Sequence, residues 1–395
     1  MKRPLVLVLF FLAIFLQSGT YGLTFLLPKL FAGYGGNEKD VGYMLAITAI
    51  VTMISVYYSG HLSDLLGRMM TLGISGFSIT IALLLFANAQ SIGASIVAAS
   101  ALIGFGWGIM YTLGPVVLTR ISTPQTRVQI FSLYSVFLMA GFGLSPVFAS
   151  VLESFGFSIR DAFTSVAIAC VFSGVIFIFL RGPINKIATT KAPDNRSKLS
   201  IAAVKTIFAS PGWLPIIMVI LGASVFAGMN NFQTSFAAAE GLNYRDFFLY
   251  YTLTVIACRL MLARFSGGKS AYKTIALLQT LMVASVVLFM FVDGSQLIYI
   301  LSAVLLGIGY GASYPILSAM AANDAPDDLV PQTLQLFSLT YFIGIFGFPL
   351  VAGILIVDFS ILTLLIVVTL LAIIETSMAY LRHKNNTQKN SNQKT

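Results

Sequence analysis

The chain has 395 residues, of which 57% are hydrophobic and only 9% are charged. A soluble domain carries about a quarter charged residues, so this composition excludes a soluble globular protein and indicates a chain embedded in a lipid bilayer. The formal net charge of +9 would suit a nucleic-acid-binding protein, but the basic residues are spread along the borders of apolar segments, which excludes that class.

Apolar segments of about 20 residues follow one another along the chain, and a helix of that length crosses a bilayer. We place twelve of them at residues 5–32, 41–62, 71–89, 93–119, 128–152, 159–180, 211–239, 245–263, 272–292, 297–322, 332–356 and 359–381. The first segment begins like a secretory signal, but its apolar character resumes at Tyr21 and no small-residue cleavage site follows, so we expect an uncleaved helix. The predicted fold class is an all-α membrane protein with twelve transmembrane helices.

Two polar segments divide the chain. Residues 181–205 are basic and interrupted by proline, which predicts a cytoplasmic linker between an N-terminal bundle (residues 1–180) and a C-terminal bundle (residues 206–381). Residues 382–395 are rich in Asn, Gln and Lys and are predicted to form a disordered tail. Lys and Arg concentrate on the side that carries both termini, so the positive-inside rule predicts cytoplasmic termini and a multi-pass protein of the plasma membrane, the bacterial inner membrane.

An internal repeat relates the two bundles. The stretch Gly104–Tyr111 recurs as Gly307–Tyr314, an offset of 203 residues, and the same offset carries Pro146 onto Pro349. Shared hydrophobic composition does not hold glycine, proline and aromatic positions in one register. The repeat therefore predicts two six-helix bundles related by pseudo-two-fold symmetry, which is the construction of many secondary transporters.

The loop between the second and third segments reads Gly60-His-Leu-Ser-Asp64-Leu-Leu-Gly67-Arg68. It matches the signature Gly-x-Leu-x-Asp-x-x-Gly-Arg, and here the chain resembles the major facilitator superfamily. The resemblance implies two bundles around a central cavity that opens alternately to each side, with Asp64 contacting the start of helix 11 and Arg120 as its ion partner. We therefore predict a gating role for Gly60, Asp64, Gly67, Arg68 and Arg120; an ordinary basic loop is the alternative.

Helix 5 carries Gly141-x-x-x-Ser145-Pro146-x-x-Ala149-Ser150, and helix 11 repeats the proline as Pro349. The segment resembles a motif that the family's proton-exchanging exporters carry, although small residues replace three of its glycines. Proline lacks a backbone N–H, so we predict that Pro146 and Pro349 bend their helices. Packing of bent helices without any role in export is the alternative.

The resemblance places helices 1, 4, 7 and 10 around the cavity, and these helices carry the candidate substrate-binding residues. Helix 7 holds the densest group of mid-helix amides, and uncharged amides in lipid must face protein or water. The candidates are Gln17, Tyr21, Tyr111, Asn230, Asn231, Tyr310 and Tyr314. For any one of them, an interhelical hydrogen bond is as good an explanation as a ligand contact.

The coupling ion has no evident site. Proton-coupled members of the family often carry an arginine in helix 4, where this chain has only Ala98–Leu102 without charge. We expect Arg259 and Glu375 to lie near helix ends with their charges reaching the membrane surface. Cys170 and Cys258 lie inside apolar segments, which excludes a disulfide framework and a thiolate metal site.

These observations predict a secondary active transporter that moves a small neutral or amphipathic organic solute, such as a drug-like compound, metabolite or siderophore, by alternating access. We expect an efflux antiporter coupled to protons, acting as a monomer in the lipid bilayer without a cofactor; a proton-symporting importer of the same fold is the alternative. A polytopic membrane enzyme or a transporter-like sensor are alternatives of another class. The chain has only His61 and His383 and no metalloprotease motif, which argues against the enzyme.

Overall fold

The structure is a computed structural model that describes residues 3–122, 126–187, 199–262 and 271–392. The described residues form helices and no strand. The first half contains α1 (Arg3–Thr24), α2 (Leu27–Ala32), α3 (Glu38–Leu66), α4 (Arg68–Asn88), α5 (Ala94–Ile121), α6 (Arg127–Ser154) and α7 (Ile159–Phe179). The connection contains α8 (Arg181–Ile187) and α9 (Ile201–Ala209). The second half contains α10 (Trp213–Asn231), α11 (Gln233–Ala239), α12 (Tyr244–Leu262), α13 (Ala271–Phe289), α14 (Gln296–Asn323), α15 (Val330–Phe342), α16 (Phe348–Asp358) and α17 (Ile361–Asn392).

The predicted all-α membrane fold is confirmed. Within the described part of the chain, eleven helical segments are long and apolar enough to cross a membrane. The twelfth crossing is α12, which falls short in hydropathy because it carries Arg245, Asp246 and Arg259. The start of α1 at Arg3 and the end of α17 lie on one side of the bundle, here named the termini side; the opposite side is named the far side.

Several boundaries differ from those that the sequence predicts. Helix α17 continues to Asn392, so residues 382–392 are helical, because no glycine or proline interrupts the chain from Ile361 onward. Two short helices, α8 and α9, occupy parts of the predicted linker. Residues 188–198 of that linker, the predicted boundary at 263 and the last three residues of the tail lie outside the described residues.

The first and seventh predicted crossings are each interrupted. The first divides into α1 and α2 just before Pro28, whose ring cannot continue the preceding helical turn. The seventh divides at Phe232, between α10 and α11. There the amide groups of Asn230 and Asn231 donate to the carbonyl oxygens of Phe226 and Ala227, and such side-chain bonds compete with the backbone for acceptors.

The packing repeats with the offset found in the sequence. A Cβ on Gly106 would lie 2.8 Å from the carbonyl oxygen of Ser75, and a Cβ on Gly309 would lie 2.8 Å from the carbonyl oxygen of Leu278. Both members of the second pair are 203 positions beyond those of the first. Glycine at these points lets α5 approach α4, and α14 approach α13, more closely than any side chain would allow.

The two halves meet mainly along two helix pairs, α3 with α16 and α6 with α12. The α3–α16 contact is close: a Cβ on Gly42 would lie 2.7 Å from the carbonyl oxygen of Pro349, and a Cβ on Gly353 would lie 2.8 Å from the carbonyl carbon of Glu38. In the other pair, a Cβ on Gly143 would clash with the side chain of Thr252. Glycines therefore set the distance between the halves.

Candidate functional site

Aromatic side chains fill the centre of the molecule between the halves. The ring of Tyr21 stacks on Trp107 with centroids 5.1 Å apart and meets Phe346 of the other half edge-on at 5.5 Å. We name the central aromatic cluster after its buried members Tyr21, Phe25, Trp107, Phe142, Phe226, Tyr310 and Phe346. The gap bordered by Phe25 and Phe226 measures about 10 Å³, so the centre holds no space for a solute in this conformation.

A tyrosine pair closes the termini side of this cluster. The hydroxyl groups of Tyr111 on α5 and Tyr314 on α14 are hydrogen-bonded at 2.9 Å, and the two residues are 203 positions apart. The repeat therefore brings equivalent residues face to face across the pseudo-two-fold axis. The ring of Tyr341 lies beside both, with centroid distances of 6.0 Å to Tyr111 and 4.8 Å to Tyr314.

A cavity opens from the termini side toward this pair. It has a volume of about 830 Å³ and is bordered by α3 and α5 of the first half and by α15 of the second. Tyr57 and Tyr58 line it and are largely exposed, while Tyr111 lies at its inner end. We name this space the termini-side cavity. It is large enough for a small organic solute.

Polar contacts tie the halves together on the far side. We name as the far-side clamp the contacts Lys39–Asp358, Glu38–Ser235 and Glu153–Tyr244, each of which joins a residue of the first half to one of the second. Lys29 adds an ion pair with Glu153 at 2.6 Å and lies over the ring of Tyr244. A vestibule of about 880 Å³ lies among these residues, on the far side of the central aromatic cluster. The structure thus has an opening on each side and a closed centre.

The structure brings some predicted binding residues together and separates others. Tyr21, Tyr111, Tyr310 and Tyr314 all lie in or beside the central aromatic cluster. Gln17 does not: it donates to Ser75 and accepts from Ser173, inside the first bundle.

Asn230 and Asn231 are fully buried at the end of α10. Their amide nitrogens donate within their own helix, and their side-chain oxygens have no hydrogen-bond partner in the described structure. An acceptor left free in a buried position is available to a donor group of a solute.

Four of the five predicted gate residues lie in the last turns of α3 or at its junction with α4, and the fifth, Arg120, lies in the last turn of α5. Gly67 has φ +85° and its N–H donates to the carbonyl oxygen of Ser63, so glycine is needed for the reversal between the two helices. A Cβ on Gly60 would meet no described atom within 4 Å, so no described helix packs closely against it in this conformation. Asp64 is exposed, and Arg68 lies close enough to Arg120 for their charges to interact.

The two prolines that are predicted to bend their helices lie in different surroundings. Pro146 has no backbone N–H and cannot donate to the carbonyl oxygen of Phe142. The hydroxyl of Ser145 lies 3.5 Å from that oxygen, and it also donates to the carbonyl oxygen of Gly19 at 2.7 Å. This stretch therefore joins α6 to α1. A π-helical turn, Ile343–Gly347, precedes Pro349 and lies between α15 and α16. π-Helical turns are a known way to accommodate a kink in a long helix.

Glu375 corrects one sequence-based expectation. Its side chain is 2% exposed rather than at the membrane surface, and its Oε1 accepts from Nε2 of Gln279 at 2.5 Å. A Cβ on Gly222 would lie 2.9 Å from both carboxyl oxygens, so the carboxyl lies directly over this glycine. No described basic residue forms an ion pair with it. The second bundle therefore contains an intramembrane acid that the sequence did not reveal.

Arg259 corrects the second expectation. It is 8% exposed and donates to the hydroxyl of Ser135 on α6, in the other half. Its charge therefore stays inside the protein at the α6–α12 contact instead of reaching the membrane surface.

The sequence profile of the Major Facilitator Superfamily matches residues 9–349, which is most of the chain. The chain belongs to the major facilitator superfamily. The predicted family is thereby confirmed, and membership of this superfamily supports a role in transport across a membrane. No curated protein sequence matches it significantly.

A solved structure supports the same fold. The crystal structure of a mutant of the nucleoside transporter NupG is similar to the structure of this protein, with a TM-score of 0.72. The match covers 95% of this chain and 99% of the NupG chain. The two sequences are 14% identical, so the likeness concerns the fold and carries no information on the solute.

Proposed function

We propose that this protein moves a small organic solute across the membrane by alternating access between the far-side vestibule and the termini-side cavity. The observation that carries the proposal is the pair of openings separated by contacts between the halves: the far-side clamp on one side and the Tyr111–Tyr314 pair on the other. Breaking one set of contacts while the other holds would expose the centre to one side at a time.

We propose the orientation with both termini in the cytoplasm of a bacterial cell, so that the termini-side cavity faces inward. The excess of Lys and Arg on the termini side supports it. In this orientation Asp64 and Arg120 lie at the cytoplasmic ends of α3 and α5, where a cytoplasmic gate would be. Export is proposed over import because the Gly141–Pro146 stretch resembles that of proton-exchanging exporters; import remains the second outcome of the flux assay below.

Glu375 is the proposed proton-binding group. A carboxylate without a cation is costly inside a membrane protein, and acids buried in this way mark proton paths in pumps and transporters. The neighbouring helices α10 and α13 face it with Gly222 and Gln279, neither of which titrates. A movement of either helix that admits water would change the proton affinity of Glu375.

Flux in sealed proteoliposomes with an imposed pH gradient tests the proposal. The solutes are a panel of drug-like dyes, siderophores and nucleosides, the last because the similarly folded NupG is a nucleoside transporter. Glu375→Gln keeps the hydrogen bond to Gln279 and removes the titrating proton, so gradient-driven accumulation should disappear while solute exchange persists. Asp328→Asn, at an exposed acid, is the matched control. Gradient-driven flux at the wild-type rate in Glu375→Gln would contradict the proton site, and the direction of flux decides between export and import.

A further inference from the structure

A groove lies between α13 and α17 on the outer surface of the second bundle. It has a volume of about 460 Å³. Its lining residues come from these two helices: Lys273, Ala276, Leu277, Thr280, Tyr380, His383 and Lys384. Leu277 and Tyr380 are 65% and 60% exposed, so large apolar side chains border the groove on the surface of the molecule. The groove therefore faces the bilayer and is separate from the proposed solute path.

The repeat explains why space exists between these two helices. In the first bundle, Gly76 on α4 lies against Gly174 on α7, and a Cβ on Gly76 would lie 3.0 Å from Cα of Gly174. The offset of 203 carries Gly76 onto Gln279 and Gly174 onto Ser377. Glycines let two helices approach closely, and larger side chains hold them further apart. The second bundle therefore has a groove at a place where the first bundle is closely packed.

The groove is basic at one end and apolar along its length. Lys273 lies in the first turn of α13, and Lys384 follows the last apolar residues of α17, so both cations lie at the termini-side border of the membrane. From residue 273 to residue 280 the groove extends about 10 Å along α13 toward the membrane centre. No acid is among its described lining residues. An anionic phospholipid has the complementary form, with a phosphate at the border and acyl chains directed inward.

The two lysines are not engaged by the rest of the described protein. Both are exposed, and neither forms an ion pair with a described acid. Arg382, on the same part of α17, differs from them: it forms an ion pair with Asp324 at 3.5 Å and lies over the ring of Tyr272. Arg382 therefore serves the packing of the bundle, whereas the charges of Lys273 and Lys384 are available to a ligand.

We propose that this groove binds one anionic phospholipid from the termini-side leaflet. The phosphate lies between Lys273 and Lys384, and an acyl chain follows the groove past Leu277 to Thr280. Tyr380 lies at headgroup level, where aromatic side chains are common in membrane proteins. A zwitterionic lipid binds more weakly, because the two lysines repel its ammonium group. The lipid bridges α13 and α17, the two helices between which Glu375 is hydrogen-bonded to Gln279.

Native mass spectrometry of the purified full-length protein in detergent tests the inference with two lipids of matched acyl chains, phosphatidylglycerol and phosphatidylcholine. The wild type should bind phosphatidylglycerol more tightly. Lys273→Gln and Lys384→Gln should each weaken its binding about 5-fold, the effect of one lysine near an anionic lipid, and the double variant about 30-fold. Thr280→Trp should weaken it without a change of charge, because the ring fills the groove. Lys186→Gln with Lys205→Gln removes two exposed termini-side lysines outside the groove and should bind as the wild type does.

Three results would overturn the inference: equal affinity of the wild type for the two lipids, an equal loss of affinity in the Lys186 and Lys205 control, or displacement of phosphatidylglycerol by millimolar inorganic phosphate. The last result would mean that the site takes a free phosphate and needs no acyl chain. The lipid comparison and the phosphate competition use the wild type alone, so they hold even if a variant folds poorly. Lipid binding requires no transport, so the inference is independent of the proposed function.

Discussion

Substituting one glycine should shift the protein toward a conformation that is open on the far side. Gly353 on α16 packs against the backbone of α3 where that helix begins. In Gly353→Ala the new Cβ would lie 2.8 Å from the carbonyl carbon of Glu38 and 3.1 Å from Cα of Lys39. Both neighbours are backbone atoms, which cannot turn aside as a flexible side chain does. The strain exists only while the halves are in contact on this side.

The size of the shift follows from the cost of overpacking. An extra methyl group in a closely packed contact costs about 1–3 kcal/mol. Because only the conformation closed on the far side bears this cost, the population open on that side should rise about 5- to 150-fold. Gly42→Ala places a Cβ 2.7 Å from the carbonyl oxygen of Pro349 in the same interface and should act in the same direction.

Cysteine labelling measures the shift. Thr234→Cys, in a background with Cys170 and Cys258 replaced by serine, puts a thiol at a buried position on the far-side vestibule whose hydroxyl has no described partner. Its rate of reaction with a polar maleimide should rise in proportion to the open population. Gly347→Ala is the matched control, because a Cβ there would lie 3.8 Å from the nearest atom. An unchanged rate in Gly353→Ala would refute the reasoning that this contact holds the far side closed.

Three further predictions concern the gate, the bends and the amides. Asp64→Asn should slow transport at equal expression, because the substitution removes the negative charge at the termini-side end of α3. A wild-type transport rate in this variant would show that Asp64 has no gating role. Pro146→Ala and Pro349→Ala should each reduce turnover in the flux assay, and unchanged flux in both would mean that the prolines serve packing alone. Asn230→Ala and Asn231→Ala should weaken solute affinity by about 1–2 kcal/mol with little loss of thermal stability, since their described bonds stay within one helix. Lower stability with full affinity would assign them to structure.

The repeat could be predicted from the sequence because glycines set how closely two helices approach, and they recur in the sequence at one fixed offset. Glycines at equivalent positions mark close contacts, and the structure reproduces the same offset for Gly106 and Gly309. Tyr111 and Tyr314 are equivalent in the repeat, and the structure shows that they face each other near the pseudo-two-fold axis. The sequence predicts both as binding residues but does not predict the hydrogen bond between them.

The burial of Glu375 could not be predicted from the sequence, because it depends on where α17 ends and on which helices pack against it. The sequence suggested an end near residue 381, which put Glu375 close to the membrane surface, whereas α17 continues to Asn392. Its partner Gln279 is 96 positions away in sequence, and no local pattern connects the two. Gln17 shows the converse: the sequence predicts it as a substrate-binding residue, but its side-chain amide is hydrogen-bonded to Ser75 and Ser173 inside the first bundle.

Alternating access is the central claim, and paired distance measurements between spin labels test it most directly. One pair joins exposed far-side positions, Phe155→Cys and Phe359→Cys, and the other joins exposed termini-side positions, Leu65→Cys and Met261→Cys. Each pair spans the two halves. Between low and high pH, one distance should lengthen while the other shortens. Distances that lengthen together, or that both stay fixed at every pH and in Gly353→Ala, would contradict the account.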